Sequence, residues 1–297
     1  MAEERQAANL EIGYRHRSEF RRGWRRFKAN RAALIGLGFI ILIILIAVFA
    51  DFIAPYDPIK IVSGKRGVSP SLDHPLGWDH VGRDLLSRVI FGSRVALIVG
   101  LVASAVAIVI GVAVGATAGY FGGGVDSALM RLTDTLMAFP LIALLIMLSA
   151  VLGPSLITTL IVIGTTTWSS YARVVRADVM SLKEQEFILA ARACGARDFR
   201  IIWRHVLPNV LAPVIVLASL GVGGIIILES ALSFLGLGIR PPNPSWGGTL
   251  ADGRAFITLY PHISFMPGLM IFLTVLAFNL FGDGLRDALD PRQKDYS

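Results

Sequence analysis

The sequence predicts an all-α, polytopic membrane protein of six transmembrane helices, and three observations predict it. Of the 297 residues, 54% are hydrophobic and 16% charged, with a mean hydropathy of +0.65. Soluble domains carry about 25% charged residues, so that class is excluded. The charges lie in a few blocks with long uncharged runs between them, as in a chain that crosses a bilayer repeatedly. Basic residues are gathered as well: nine Lys/Arg lie in the first 31 residues and seven between Arg173 and Arg204. Such clusters mark cytoplasmic flanks, so the net charge of +7 is topological and does not require nucleic acid as a partner. Six spans with N and C termini both cytoplasmic satisfy the parity.

Residues 1–31 are basic and polar. Phe20, Trp24 and Phe27 share one helical face in an arginine-rich frame, which predicts a short helix on the membrane surface with snorkelling Arg stems. Ala32 to Ala50 is uncharged and long enough to span. Val48-Phe49-Ala50 offers a cleavage-like site, but the apolar run is too long for a signal peptide and the basic stretch before it too extended. The span is therefore expected to be retained. Asp51 to Arg94 is the first outside segment. Leu85, Leu86, Val89 and Ile90 predict an interfacial helix leading into span two. Its six basic and five acidic residues are too balanced to orient the chain.

Span two runs from Val95 to Tyr120. Gly111, Gly115 and Gly119 recur every four residues, which predicts close helix packing. After the Gly122–Gly124 turn, a polar-amphipathic stretch (Asp126 to Thr135) leads to span three, Leu136 to Leu152, with Pro140 near its start. Span four, Leu156 to Tyr171, carries Thr165 to Thr167, Ser169 and Ser170 at its inner end. Those hydroxyls either bond backbone carbonyls or line a path. Span five is Val210 to Leu228. Glu229 follows it in an apolar frame, where a charge is a functional candidate; the alternative is an outer-edge residue reaching water or an arginine. Arg240 to His262 is a second outside segment whose Trp246 docks a partner or anchors at the interface. Span six is Ile263 to Phe281. The tail after Gly282 holds three basic and four acidic residues.

Between spans four and five lies the longest polar interruption of the second half, Ser181 to Asn209. Phe187, Ala190, Ala191 and Cys194 fall on one helical face, and Phe199, Ile202, Trp203 and Val206 repeat the spacing. Gly195 between them suits a left-handed C′ position, Asp198 suits an N-cap, and Pro208 is expected to limit the second helix. Lys183, Arg192, Arg197, Arg200 and Arg204 make the outer faces basic. A helix–turn–helix elbow results. A DNA-binding motif loses because both neighbours are membrane spans; a plain connector stays open on pattern alone.

Ala190-Ala191, then Gly195, then Leu207-Pro208 resembles the cytoplasmic "EAA" loop of ABC-importer permeases, with Leu189 where Glu and His205 where Ile are usual. HPLGWDHVGRDLLSRVIFGSR, ESALSFLGLG, PPNPSWG and GDGLRDALDPR extend the resemblance to the dipeptide/oligopeptide/nickel branch over nearly all the chain after residue 30. The resemblance implies a permease subunit of an ATP-driven importer for peptides or similar small solutes, in the bacterial inner membrane, forming half of the translocation path. It implies a homologous second permease, two ATPase subunits and an extracytoplasmic solute-binding protein as partners. It divides the chain into a cytoplasmic segment (1–31), the first span with its outside segment (32–94), a permease core of five spans (95–282) with the coupling loop 181–209, and a cytoplasmic tail (283–297). Glu186, Phe187, Ala190, Ala191, Gly195, Phe199, Trp203, Leu207 and Pro208 become the ATPase-coupling candidates, and Glu229 the candidate path or gate residue.

No catalytic, cofactor or metal residue is expected: there is no G-x-x-x-x-G-K-[ST] loop, the five His show no close ligand spacing, and the single cysteine excludes an intrachain disulfide. ATP and Mg²⁺ belong to partner subunits. The rival is an ion-gradient-driven secondary transporter, which needs paired intramembrane charges and broken helices in repeated halves; only Glu229 qualifies. An intramembrane enzyme lacks its cluster of acids and bases. The transported solute, whether peptide, nickel chelate, glutathione or opine-like, is not readable from the residues.

Overall fold

A computed structural model of the chain describes residues 23–289, which are helical apart from turns and two long connections. Phe20 and the end of the tail fall outside the described residues. A short helix α1 (residues 23–29) leads into α2 (Arg31–Val48), whose first turn is capped by the Asn30 side chain accepting from the Ala33 N–H. Then follow α3 (Ala50–Ile53), α4 (Leu85–Phe121), α5 (Gly123–Ala138), α6 (Leu141–Leu152), α7 (Leu156–Lys183), α8 (Glu186–Ala193), α9 (Asp198–Ile201), a π turn (Ile202–Val206), α10 (Leu207–Phe234), α11 (Trp246–Arg254) and α12 (Pro261–Leu289).

Four helical stretches are long and apolar enough to cross a membrane: α2, α4, α9 through α10, and α12; α5 and α6, bent by 85° at Phe139-Pro140, make a fifth if they are one span. The bend corrects the simple third span of the sequence reading. Pro140 cannot continue an α ladder, and α6 alone, at 12 residues, reaches only about 18 Å of a hydrocarbon core about 30 Å thick. α7 covers the fourth predicted span and runs on to Lys183; its Thr/Ser run and Arg173 and Arg176 make it less apolar than the others. The interfacial helix expected before span two is instead the first turns of α4, one unbroken helix of 37 residues. Asp84 caps it, accepting from the Ser87 N–H and hydroxyl.

Glycines set the helix pairing. A Cβ on Gly111 would lie 2.5 Å from Cβ of Tyr171, on Gly115 2.9 Å from Cβ of Val175, and on Gly119 3.0 Å from Cβ of Val179. The stripe therefore lies flat against α7, as its spacing predicts. Contacts advance in the same direction along both helices, so α4 and α7 run parallel, and the α5–α6 pair returns the chain between them. α10 and α12 pack with opposite sense, Gly223 facing Val275 and Gly282 facing Leu220; α2 opposes α12, Gly36 facing Ala277 and Gly284 facing Ala33. α1 is not a free surface helix: Phe27 is buried, with its ring 5.8 Å from that of Phe281.

The two long connections, between α3 and α4 and between α10 and α12, fold against each other. Asp79 accepts from the N–H groups of Val81, Gly82 and Arg83 at 2.9 Å each and from Arg83 Nε at 2.5 Å. Trp246, expected as a docking or interfacial residue, is instead buried and donates its indole N–H to the Val89 carbonyl at 2.9 Å. Its ring fills the space that Gly92 leaves open on α4. Arg94 donates to the Ala47 and Val48 carbonyls at the end of α2.

Candidate functional site

The elbow, at the ends of α4 and α7 and the start of α10, forms from two short helices joined by a tight turn. α8 ends at Cys194, after which Gly195 takes φ +80°. The Gly195 N–H donates to the Arg192 carbonyl at 2.9 Å and the Ala196 N–H to the Ala191 carbonyl at 3.1 Å. These two bonds are a Schellman closure, which requires the left-handed residue that Gly195 supplies. Asp198 is not the N-cap that the sequence indicates. Arg197 occupies that position without a side-chain bond, and Asp198 is the first helical residue. Its carboxylate is engaged elsewhere, accepting from the Tyr120 hydroxyl at 2.6 Å.

Pro208 does not end the second helix either. The Leu207 N–H donates to the Ile202 carbonyl, five residues back. Pro208 has no N–H to continue an i→i−4 ladder, and the widened π turn accommodates it so that α9 passes into α10. The His205 carbonyl is taken by the Asn209 side chain at 2.5 Å. Elbow and span helix are thus one continuous element.

The faces of the elbow differ from the two predicted apolar stripes. What packs onto the protein is Ile188, Ile201 and Val206, buried with Val175, Val179, Ala116 and Val210. Phe187, Ala190 and Cys194 are exposed and Ala191 is half-buried. Phe199 is 73% and Trp203 60% exposed, their ring centroids 6.0 Å apart. Glu186 stands exposed in the first turn of α8; Leu207 is half-buried and Pro208 exposed. Two apolar arcs share each helix, and the sequence does not say which packs onto the protein. Tyr120, 78 residues before Asp198, is the site residue with no sequence signal.

Between α7 and α10 lies an open cavity of ≈ 570 Å³ lined by Thr167, Ser170, Tyr171, Leu217, Gly221 and Gly224 among others. The Thr165, Thr166 and Thr167 hydroxyls donate to the Ile161, Val162 and Ile163 carbonyls, so the polar end of α7 is mostly self-satisfied. Glu229 does not line this cavity. It is 0% exposed, accepting from the Ser233 hydroxyl at 2.7 Å and Ser230 at 3.3 Å. The expectation that it reaches water or an arginine is corrected: among the described residues no ion pair reaches it.

Asp79, His80 and Asp252, brought together from segments far apart in sequence, hold ligand-type atoms within 4.8 Å of one another. Arg83 and Arg88 occupy the same carboxylates, at 2.5 and 3.4 Å from Asp79 and 3.1 and 3.7 Å from Asp252. Two guanidiniums already neutralise two acids, so the cluster is a buried ion-pair clamp across the two long connections.

A family model of the binding-protein-dependent transport system inner membrane component matches residues 107–295. A second, of the N-terminal TM domain of oligopeptide transport permease C, matches residues 18–70. The dipeptide transport system permease protein DppC of Alkalihalophilus pseudofirmus is 43% identical over 277 residues, 93% of this chain and 91% of its own. The glutathione transport system permease protein GsiD of Escherichia coli is 44% identical over 272 residues, 91% of this chain and 90% of its own. An apolar helical bundle and these matches lead to one conclusion: the chain belongs to the family of binding-protein-dependent transport system inner membrane components, the permease subunits of ATP-driven importers, and is not itself an enzyme.

Proposed function

We propose that this chain forms half of a translocation path for short peptides and couples it through the elbow to separate ATPase subunits. Six spans cross the inner membrane, with both termini and the elbow in the cytoplasm. The parallel course of α4 and α7 supports that count, because the bent α5–α6 pair must carry the chain back across between them. The domain limits follow: a cytoplasmic segment to residue 31, the first span with its outside segment to 94, a five-span core to 282, and a cytoplasmic tail. A homologous permease faces the cavity between α7 and α10 and completes the path. An extracytoplasmic solute-binding protein engages the outer connections, and two ATPase subunits hold ATP and Mg²⁺. The solute class follows the dipeptide and glutathione permeases named above.

The observation that carries the coupling role is the exposed Phe199–Trp203 pair, rimmed by Arg197, Arg200 and Arg204 and continuous with α10. Exposed aromatics at the centre of a charged rim are what interface hot spots are made of. The rim tunes encounter rate and specificity more than affinity. The ion-gradient alternative loses its support, because Glu229 has no ion-pair partner among the described residues and the family is driven by ATP. The test is uptake and ATP turnover in proteoliposomes assembled stepwise. The two permeases alone neither hydrolyse ATP nor concentrate solute; adding ATPase subunits and binding protein gives both. Concentrative uptake driven by a proton or sodium gradient without ATPase would overturn the assignment.

A further inference from the structure

The chain joins the elbow to the span bundle at both ends, through the two-residue link Glu184-Gln185 from α7 and through the π turn into α10. A third attachment is made by a side chain. It lies at the inner end of α4, where Tyr120 is 5% exposed and reaches the elbow with its hydroxyl. That hydroxyl donates to Asp198 Oδ1 at 2.6 Å, in the first turn of α9. Arg192 at the end of α8 donates to the Tyr120 hydroxyl oxygen at 3.4 Å and lies 5.6 Å from the Tyr120 ring centroid. One side chain of α4 therefore holds both arms of the elbow, on either side of Gly195. Beside it opens a polar cleft of ≈ 340 Å³ lined by Lys183, Glu184, Leu189, Arg192 and Asp198. Among the described residues, the remaining side-chain packing of the elbow on the bundle is apolar, made by Ile188, Ile201 and Val206 with the partly buried Ala196 and Ile202. Such contacts slide; a short hydrogen bond to a carboxylate does not.

The geometry points to Tyr120 as a coupling latch, a positioning residue that passes displacement of the elbow to α4. It rests on the elbow being the ATPase dock. Above Tyr120 the Gly111–Gly115–Gly119 stripe packs α4 against α7 with backbone close to backbone, so a pull at Tyr120 moves α4 and α7 together. α10 moves through its own continuity with the elbow. The cavity lies between α7 and α10. Displacement of the elbow thus reaches both walls, and without the latch the α4–α7 pair is drawn only through the short Glu184-Gln185 link, whose N-cap position makes no side-chain bond to α8.

The test uses the complete assembly of both permeases, ATPase subunits and binding protein in proteoliposomes, reading ATP hydrolysis and uptake of a dipeptide in the same vesicles. Tyr120→Phe removes only the hydroxyl and leaves the ring in place. ATPase subunits should copurify and hydrolyse ATP within about twofold of the parent, while uptake per ATP falls about tenfold, the scale of one hydrogen bond to a charged acceptor. Asp198→Asn keeps an acceptor oxygen and should retain most of the uptake per ATP. Asp198→Ala should behave as Tyr120→Phe, and the double variant should be no worse than either single one, because both remove the same bond. Should Tyr120→Phe lower membrane abundance, Asp198→Ala, which truncates an exposed side chain, carries the same comparison. Parental uptake per ATP in Tyr120→Phe or Asp198→Ala would overturn the latch and leave the dock standing. Failure of the ATPase subunits to copurify with the parent would overturn the dock, and the latch with it.

Discussion

Gly195 shows how much one residue decides. Its φ of +80° is required by the closure of α8, while a Cβ there would meet nothing within 4 Å. The penalty for a side chain is therefore conformational and not steric, about 1–2 kcal/mol for an ordinary residue and more for a β-branched one. Gly195→Val should abolish solute uptake with the chain still in the membrane, whereas Gly195→Asn, which enters the left-handed region readily, should transport. Uptake normalised to membrane abundance separates the two. Glu229 calls for a different experiment. Its oxygens accept from Ser230 and Ser233, and the Ser233 hydroxyl oxygen accepts in turn from the Ile239 N–H, fixing the turn after α10. Glu229→Gln keeps an acceptor and should leave uptake close to parental. Glu229→Leu strands the serines and should cost about 1–3 kcal/mol, read as lower thermal stability in detergent. The sequence singled out both residues, for reasons it could state. Glycine at a helix end has few other uses, and a charge in an apolar frame is conspicuous. It could not state that Glu229 is buried against serines, because burial depends on α11 folding over that end of α10.

Among elements, the pairing of α4 with α7 was the most legible and the α5–α6 pair the least. Small residues at four-residue spacing have one strong physical use in lipid, and the stripe meets α7 along its length. Gly115→Leu should therefore deplete the chain from the membrane, since even its Cβ would lie 2.4 Å from the Ala172 carbonyl oxygen. Gly38→Leu on α2, where a Cβ meets nothing within 4 Å, is the matched control, and membrane immunoblots compare them. The α5–α6 pair was read as a polar stretch and one span because hydropathy averages over Pro140 and carries no angle. The elbow was legible as two helices. Its orientation was not, since apolar residues stand on both arcs of α8 and either arc can pack. Tyr120 was invisible for a plainer reason: nothing in a tyrosine at the end of an apolar run announces a partner 78 residues away.

At the scale of the whole molecule the sidedness of the chain is testable without engineering. Cys194 is the single cysteine, free and exposed on the elbow. A membrane-impermeant maleimide should label it in inside-out vesicles and not in intact cells, and mass analysis of the chain reads the result. Bound ATPase subunits should slow that labelling, whereas binding protein added outside should not. Labelling from outside in intact cells would invert the topology. The elbow carries Arg192, Arg197, Arg200 and Arg204 exposed, whereas the segment before α4 mixes exposed Lys60, Lys65 and Arg66 with Arg83 and Arg88, which are held in ion pairs with Asp79 and Asp252. A count of basic residues cannot distinguish these uses, so that segment reads as balanced by itself.

The π turn at Ile202–Val206 has a consequence for the bearing of the elbow. Each α-helical residue advances about 100° around the axis. One additional residue in a turn therefore swings everything on its far side by about that angle. Phe199 and Trp203 face where they do, relative to the cavity wall of α10, because that residue is present. Deleting the buried Val206 would remove no exposed side chain and aim the aromatic pair elsewhere. Such a lesion would injure the dock through azimuth, with no side chain lost from its surface.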